Sequence, residues 1–191
     1  RWIFRQACEK CAQWSNREPA LTMSINLSYL QLTEPDFIDY MQETLDATQV
    51  DPHRIIVEMT ESVIASRAHA LEHLFQRIHD LGIRIAMDDF GTGYSSLSCL
   101  SCTPADIVKI DREFIRGICD QSHSFNRSFI GSVINLCHSV GISVCAEGVE
   151  EKDELETVLR LKADSVQGFY FSKPVTPDEF EKQHIKHPDI G

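Results

Sequence analysis

No apolar run in this sequence is long enough to cross a bilayer. A secretory leader is not expected at its start either, where Arg1-Trp2-Ile3-Phe4-Arg5-Gln6 already reads as helix. Glycine and proline are few, nine and seven among 191 residues, and they form no linker or low-complexity stretch. Basic residues are scarce, with 18 Lys and Arg against 29 Asp and Glu and a net charge of −11. A chain this acidic repels a nucleic-acid backbone on average, so neither DNA nor RNA is an expected partner. A phosphate-bearing substrate would need local positive charge, most simply from metal ions. Cysteine is present seven times, an odd number mostly set among helix formers, which reads as reduced thiols and a cytoplasmic location.

Apolar residues (42%) and charged residues (25%) stand near ordinary globular usage, which excludes disorder. The length suits one packed domain, expected over residues 1–183, with 184–191 as a polar tail that frays and carries His184 and His187.

Hydrophobic patterning alternates between strand and helix. Phe4, Cys8, Cys11 and Ala12 have helical spacing over residues 2–14. Thr22 to Leu27 reads as a strand, and a helix is expected from Thr33, with Thr33 and Asp36 as an N-cap pair, to about Thr48. Arg54 to Met59 is nearly continuously apolar, as suits a strand buried on both faces of a parallel sheet. The unit recurs. Helices are expected near 64–81, 95–100, 125–140 and 151–161, with strands at 83–87, 107–110, 142–146 and 165–169. Gly82 and Gly141 sit where left-handed helix caps belong. A last helix opens at Thr176 with Pro177 and Glu179 completing a capping box. Six strands with crossover helices imply an α/β fold with a parallel sheet. A closed (β/α)₈ barrel needs eight strands, which leaves a doubly wound sheet or an incomplete barrel.

Polar residues recur at the carboxyl ends of these strands: Asn26, Glu58, Asp88 with Asp89, Lys109, Glu147 and Gln167. In parallel α/β folds those ends converge on one rim. Crowded carboxylates need positive charge between them, and hard Mg²⁺ or Mn²⁺ ions take an oxygen-only ligand set. Adjacent Asp88 and Asp89 suit two ions about 3.5–4 Å apart.

The same stretches resemble the EAL phosphodiesterase family. Asn26-Leu27-Ser28 is similar to its N-x-S element, and Glu58-Met59-Thr60-Glu61-Ser62 to its E-x-T-E-S. Residues 88–96 read D-D-F-G-T-G-Y-S-S, 109–111 K-I-D, 146–150 A-E-G-V-E and 166–168 V-Q-G, with F-S-K-P at 171–174. The resemblance runs from about Trp2 to Phe180. It implies a TIM-like barrel and hydrolysis of the bacterial second messenger cyclic-di-GMP to linear pGpG with Mg²⁺ or Mn²⁺. It further implies Asn26, Glu58, Asp88, Asp89 and Glu147 as metal ligands, with Glu147 alternatively positioning water. Lys109 would orient the attacking water and offset transition-state charge, and Gln167 would hold water or substrate. Glu61 would anchor the loop that contains Gly91 and Gly93, which allow it to turn, and Glu150 would stand behind the ligands. Homodimers, and fused sensor or GGDEF domains, are the partners this implies.

No E-A-L tripeptide occurs in the sequence; Glu18-Pro19-Ala20-Leu21 is not one. The family's first barrel strand and its Glu are therefore expected upstream of Arg1, which makes this chain an N-terminally incomplete barrel, weak or inactive alone, with Thr22 to Leu27 at an edge. A non-catalytic cyclic-di-GMP receptor or interaction module is the alternative. Cys8-x-x-Cys11 and Cys99-x-x-Cys102 imitate zinc ligands but lie in helical sequence too far apart for one site. His69-Ala70-Leu71-Glu72-His73 imitates a metalloprotease motif on a solvent face of a helix. Lys162, at a helix end, is expected to adopt a left-handed cap at a cost of about 1 kcal/mol.

Overall fold

The computed structural model describes residues 1–92, 105–120 and 124–185, with 65–70 as backbone alone. Its strands are β1 (Met23–Asn26), β2 (Ile55–Thr60), β3 (Arg84–Phe90), β4 (Ile107–Ile110), β5 (Ser143–Ala146) and β6 (Ser165–Val166). They lie in chain order in one sheet. The helices are α1 (Trp2–Ser15), α2 (Tyr29–Leu32), α3 (Phe37–Thr48), α4 (Glu61–Asp80), α5 (Arg112–Ile115), α6 (Ser124–Ser139), α7 (Lys152–Arg160) and α8 (Pro177–His184). Among the described residues, six parallel strands with helical crossovers give the fold class of an incomplete TIM-like barrel. Among the described residues no helix is long and apolar enough to cross a membrane.

The chain divides into two compact units. The first holds residues 1–58, 72–85 and 174–191. In it α1 buries Phe4, Cys8, Cys11 and Trp14, one stripe of an amphipathic helix. Phe4 meets Phe37 of α3 edge-on, with ring centroids 6.4 Å apart. Trp14 packs on Phe180 of α8 at 5.0 Å, and its indole N–H donates to Glu181 at 3.3 Å. Cys8 and Cys11 are fully buried free thiols, and burial pushes the Cys8 thiol up to about 12, which suits core packing rather than zinc. Cys99 and Cys102 lie outside the described residues.

The second unit holds residues 59–71 and 86–173. Val108, Ile110, Val144 and Ala146 of β4 and β5 are wholly buried, as are Ile115, Ile130 and Cys137 of the helices. Each buried aliphatic side chain of this size contributes about 1.5–3 kcal/mol. β4 and β5 pair in register from Ile107↔Ser143 to Ile110↔Ala146.

Three boundaries differ from the sequence reading, each for a local reason. Thr33 does not open a helix. Ser28 caps the short α2 with Gln31, Thr33 ends it by donating to the Tyr29 and Leu30 carbonyls, and α3 begins only after Pro35, with an Asp36 side chain that makes no cap bond. Strand β3 runs on through Asp88 and Asp89 to Phe90. Strand β6 spans only Ser165 and Val166, so Gln167 lies just past it. The helix expected at 95–100 falls outside the described residues. Lys162 does take the left-handed cap, at φ 68°.

Candidate functional site

The site is built on a fault in the β3–β4 ladder. Met87 pairs with Val108 and Phe90 with Ile110, so Asp88 and Asp89 together oppose the single residue Lys109. This is a β-bulge, one extra residue that re-aims the side chains beside it. Asp89 takes φ 56°, a left-handed conformation uncommon for a residue other than glycine. Such strain persists only where its surroundings over-determine it, and it clusters at functional sites. The surroundings are visible. The Asp88 carboxylate accepts the Asp89 N–H at 3.1 Å, the Thr92 hydroxyl donates to the Asp89 carbonyl at 2.9 Å, and Glu61 accepts the Gly91 N–H at 2.7 Å.

Lys109 is 5% exposed, and its ammonium stands 2.7 Å from Glu147 and 3.2 Å from Asp88. Glu147 follows β5 directly, and its N–H donates to the Ile110 carbonyl at 3.1 Å, so the backbone itself brings it beside β4. A buried lysine between two carboxylates offsets part of their repulsion. Burial pushes the Asp89 carboxyl above its ordinary range; the negative charges of Asp88, Asp111 and Glu61 push the same way, and Lys109 opposes them.

Glu61, 1% exposed at the start of α4, accepts the Gly91 N–H and so joins the helix to the β3 exit. Gly93 lies outside the described residues. Gly148 (φ 70°) could carry no side chain, because a Cβ there would stand 2.3 Å from the Arg112 Cβ. Gly168 is equally constrained, since its Cβ would meet the Val149 carbonyl oxygen at 2.1 Å. That closeness lets the β5 and β6 exits run on together: Gln167 N–H donates to Ala146 O at 2.9 Å and Val149 N–H to Gln167 O at 3.1 Å. The Gln167 side chain is exposed beyond this pairing, and so is Glu150.

In the first unit Asn26, the last residue of β1, is the register partner of Glu58, two residues before the end of β2, and the Leu27 N–H donates to the Glu58 carbonyl at 2.8 Å. Asn26 is exposed and Glu58 is 6% exposed.

Sequence reasoning overlooked Glu154. Its buried carboxylate accepts N–H groups from Gly117 (3.0 Å), Glu150 (3.0 Å) and Glu151 (3.2 Å), tying the segment after α5 to the segment after Glu147. The available signal was an acidic residue at the third position of a helix, half of a capping box.

The donor set fits a hard divalent ion in kind. It is made of oxygens, rich in carboxylates, and its neighbouring charges already resist further negative charge at Asp89. Among the described residues, however, no three His, Cys, Asp or Glu side chains stand together closely enough to hold an ion. Asp88 and Glu147 are drawn instead to Lys109.

Comparison with known proteins agrees with the geometry. The chain is 36% identical over 188 residues to the signaling protein YkoW of Bacillus subtilis, covering 98% of this chain and 23% of that one. It thus spans under a quarter of that relative's length. Among solved structures, the PaMucR phosphodiesterase in complex with c-di-GMP superposes with a TM-score of 0.86 at 30% identity, covering 94% of this chain and 72% of that one. The Klebsiella pneumoniae BlrP1 manganese/cy-diGMP complex gives 0.81 at 28%, covering 91% and 43%. The EAL domain family model matches residues 1–174, the stretch that contains the bulge, Lys109, Glu147 and Gln167, and the chain belongs to the EAL domain family.

Proposed function

We propose that this site serves divalent-metal-dependent hydrolysis of cyclic-di-GMP to linear pGpG. The observation that carries the reading is the Lys109 ammonium between Asp88 and Glu147, beside a strained two-aspartate bulge. The PaMucR complex with c-di-GMP and the BlrP1 complex with manganese and cy-diGMP support the substrate and the ion class.

Asn26, Glu58, Asp88, Asp89 and Glu147 are the residues that would hold Mg²⁺ or Mn²⁺. When bound, such ions lower the pKa of a water and polarise the phosphodiester. The chain's own residues do the rest. Lys109, with three N–H donors, orients a water near Glu147 and offsets charge on the pentacoordinate phosphorus. Glu147, as an alternative to holding metal, accepts the O–H of that water and positions it. Gln167, exposed beside the β5 exit, offers an amide that both donates and accepts toward water or substrate. Glu61 and Gly91 fix the exit of β3, and Glu150 backs the segment after Glu147.

A cyclic-di-GMP receptor without turnover is the second reading. It is favoured by the lack of three converging metal-capable side chains among the described residues. Homodimerisation, a cytoplasmic setting and attachment to sensor or GGDEF domains complete the proposal.

Titration calorimetry with Mn²⁺ and cyclic-di-GMP, run with a chromatographic assay for pGpG, separates the readings. Binding with cleavage that Asp89→Asn abolishes supports the phosphodiesterase. Ligand binding without pGpG supports the receptor, and no binding of either ligand refutes both.

A further inference from the structure

We propose that Phe114, on the four-residue helix α5, is a positioning residue that sets the two-aspartate bulge against Lys109. Helix α5 is a direct continuation of β4. Asp111 follows Ile110, and its carboxylate caps the helix by accepting the Glu113 N–H at 2.7 Å. Lys109 and Phe114 therefore belong to one short stiff segment, and what Phe114 touches is registered to Lys109.

What it touches is Gly91. A Cβ on Gly91 would stand 2.6 Å from Phe114 Cε2 and 3.0 Å from Cζ, so the ring occupies the space where a side chain would be. Gly91 lies two residues past Asp89 and has φ 102°. Its N–H is held by Glu61 while its Cα face is closed by Phe114. The backbone at Gly91 is thus gripped by a carboxylate and by a ring, and the left-handed Asp89 just before it is held in place.

The ring is itself fixed from behind. Phe114 stacks on Phe129 of α6 with centroids 4.5 Å apart, and its carbonyl accepts from the Asn126 amide at 3.2 Å. Glu154 holds the far end of the segment through the Gly117 N–H. The same helix seats the other carboxylate, because Arg112 fills the space over Gly148, the residue after Glu147. Helix α5 is in this way a spacer between the β3 and β5 exits, and Phe114 is the part of it that acts on the aspartates.

The test compares Phe114→Ala, Phe114→Leu and a control, Phe125→Ala, with the parent chain; Phe125 is exposed and stacks on Phe129 at 6.2 Å. Two readouts are used: Mn²⁺ affinity by calorimetry, and hydrogen exchange of peptides covering 86–92 and 142–145. Phe114→Ala is expected to weaken Mn²⁺ binding about tenfold, the scale typical of supporting groups behind metal ligands. It is also expected to speed exchange over 86–92 while leaving 142–145 unchanged. Phe114→Leu restores both readouts by refilling the space, and Phe125→Ala changes neither. A folded Phe114→Ala with parental affinity and parental exchange overturns the proposal. The metal readout rests on the proposed function; exchange does not. If the parent chain binds no Mn²⁺, the metal reading fails, and exchange over 86–92 alone decides for or against Phe114. If Phe114→Ala does not fold, Phe114→Val, which keeps an apolar group but withdraws the ring from Gly91, is read in the same way.

Discussion

The two ends of strands β4 to β6 each carry an ion pair, and the pairs do opposite work. At the carboxyl end Lys109 is buried between Asp88 and Glu147, beside a residue held at φ 56°. At the amino end His138 meets Asp164 at 2.8 Å with both side chains more than a third exposed, and the same Asp164 oxygen accepts the Val144 N–H at 2.7 Å. The exposed pair joins a helix end to a strand start in relaxed geometry. The buried pair crowds like charges around one cation, at a cost that helical caps and ordinary turns do not incur. Strain and burial at one end, with quiet stapling at the other, is the division of labour of parallel α/β barrels, with chemistry at the carboxyl face and stability at the amino face.

The largest expected effect tests the buried end. Lys109→Met removes the ammonium and leaves Asp88 and Glu147 facing each other. Breaking a buried ion pair from one side costs about 3–5 kcal/mol. Urea unfolding monitored by circular dichroism should show that loss without added metal, and a loss under about 1 kcal/mol, the scale of an exposed pair, would put Lys109 in the same class as His138. Next comes Gly148→Ala. Its Cβ would stand 2.3 Å from the Arg112 Cβ at φ 70°, so overpacking and left-handed strain add to a loss of about 2–4 kcal/mol. The same substitution at Gly141, which also has positive φ but an open surrounding, should cost only the strain, about 1–2 kcal/mol.

These positions also show what the sequence could and could not reveal. Helix-to-strand junctions were legible because the signals are local. Gly82 and Gly141 sit at the ends of apolar helical patterns, and Ile107 to Ile110 is a short apolar run bounded by polar residues. The approximate strand ends were legible because they follow from the apolar runs, although β2 runs on past Glu58 and β3 past Asp88 and Asp89. The bulge was not legible, because it is a property of how β3 registers with β4, two segments far apart in the chain. Helix α5 escaped because four residues carry no period. Glu154 escaped because nothing near it in sequence indicates that Gly117 will come within hydrogen-bond reach. The Thr33 boundary differs for a plainer reason: Pro35 disfavours helical backbone at Glu34, so α3 starts only at Phe37.

A smaller effect sharpens the amino-end half of the comparison. At the α6–β5 junction the Ile142 N–H reaches back to the Cys137 carbonyl at 2.9 Å, and at the α7–β6 junction Ala163 reaches Val158 at 3.1 Å, so both helices end in the same motif. One has Gly141 in the left-handed position and the other has Lys162. Lys162→Gly should therefore stabilise the chain by about 0.5–1 kcal/mol, an unusual sign for a glycine substitution, because the strain removed exceeds the entropy that glycine adds to the unfolded chain. Calorimetric melting would register this as a small rise in Tm.

The smallest effect belongs to Asp164 and depends on pH. Burial alone would raise its carboxyl, but the His138 hydrogen bond, the Val144 N–H and the His138 charge outweigh burial and hold it below the ordinary range. A carboxyl lowered on folding contributes stability that is complete above its unfolded value, near 3.9, and is lost as pH falls through the lowered native value. Asp164→Asn keeps an acceptor for Val144 but loses the charge opposite His138. The parent should therefore exceed the variant by less than about 1 kcal/mol at pH 6, because the pair is exposed and screened. The gap should narrow as pH drops below 4 and Asp164 takes up a proton. Paired urea titrations at pH 3, 6 and 8 check this. A gap that is flat across all three would mean that the Val144 hydrogen bond, not the ion pair, is what Asp164 supplies at the quiet end of the strands.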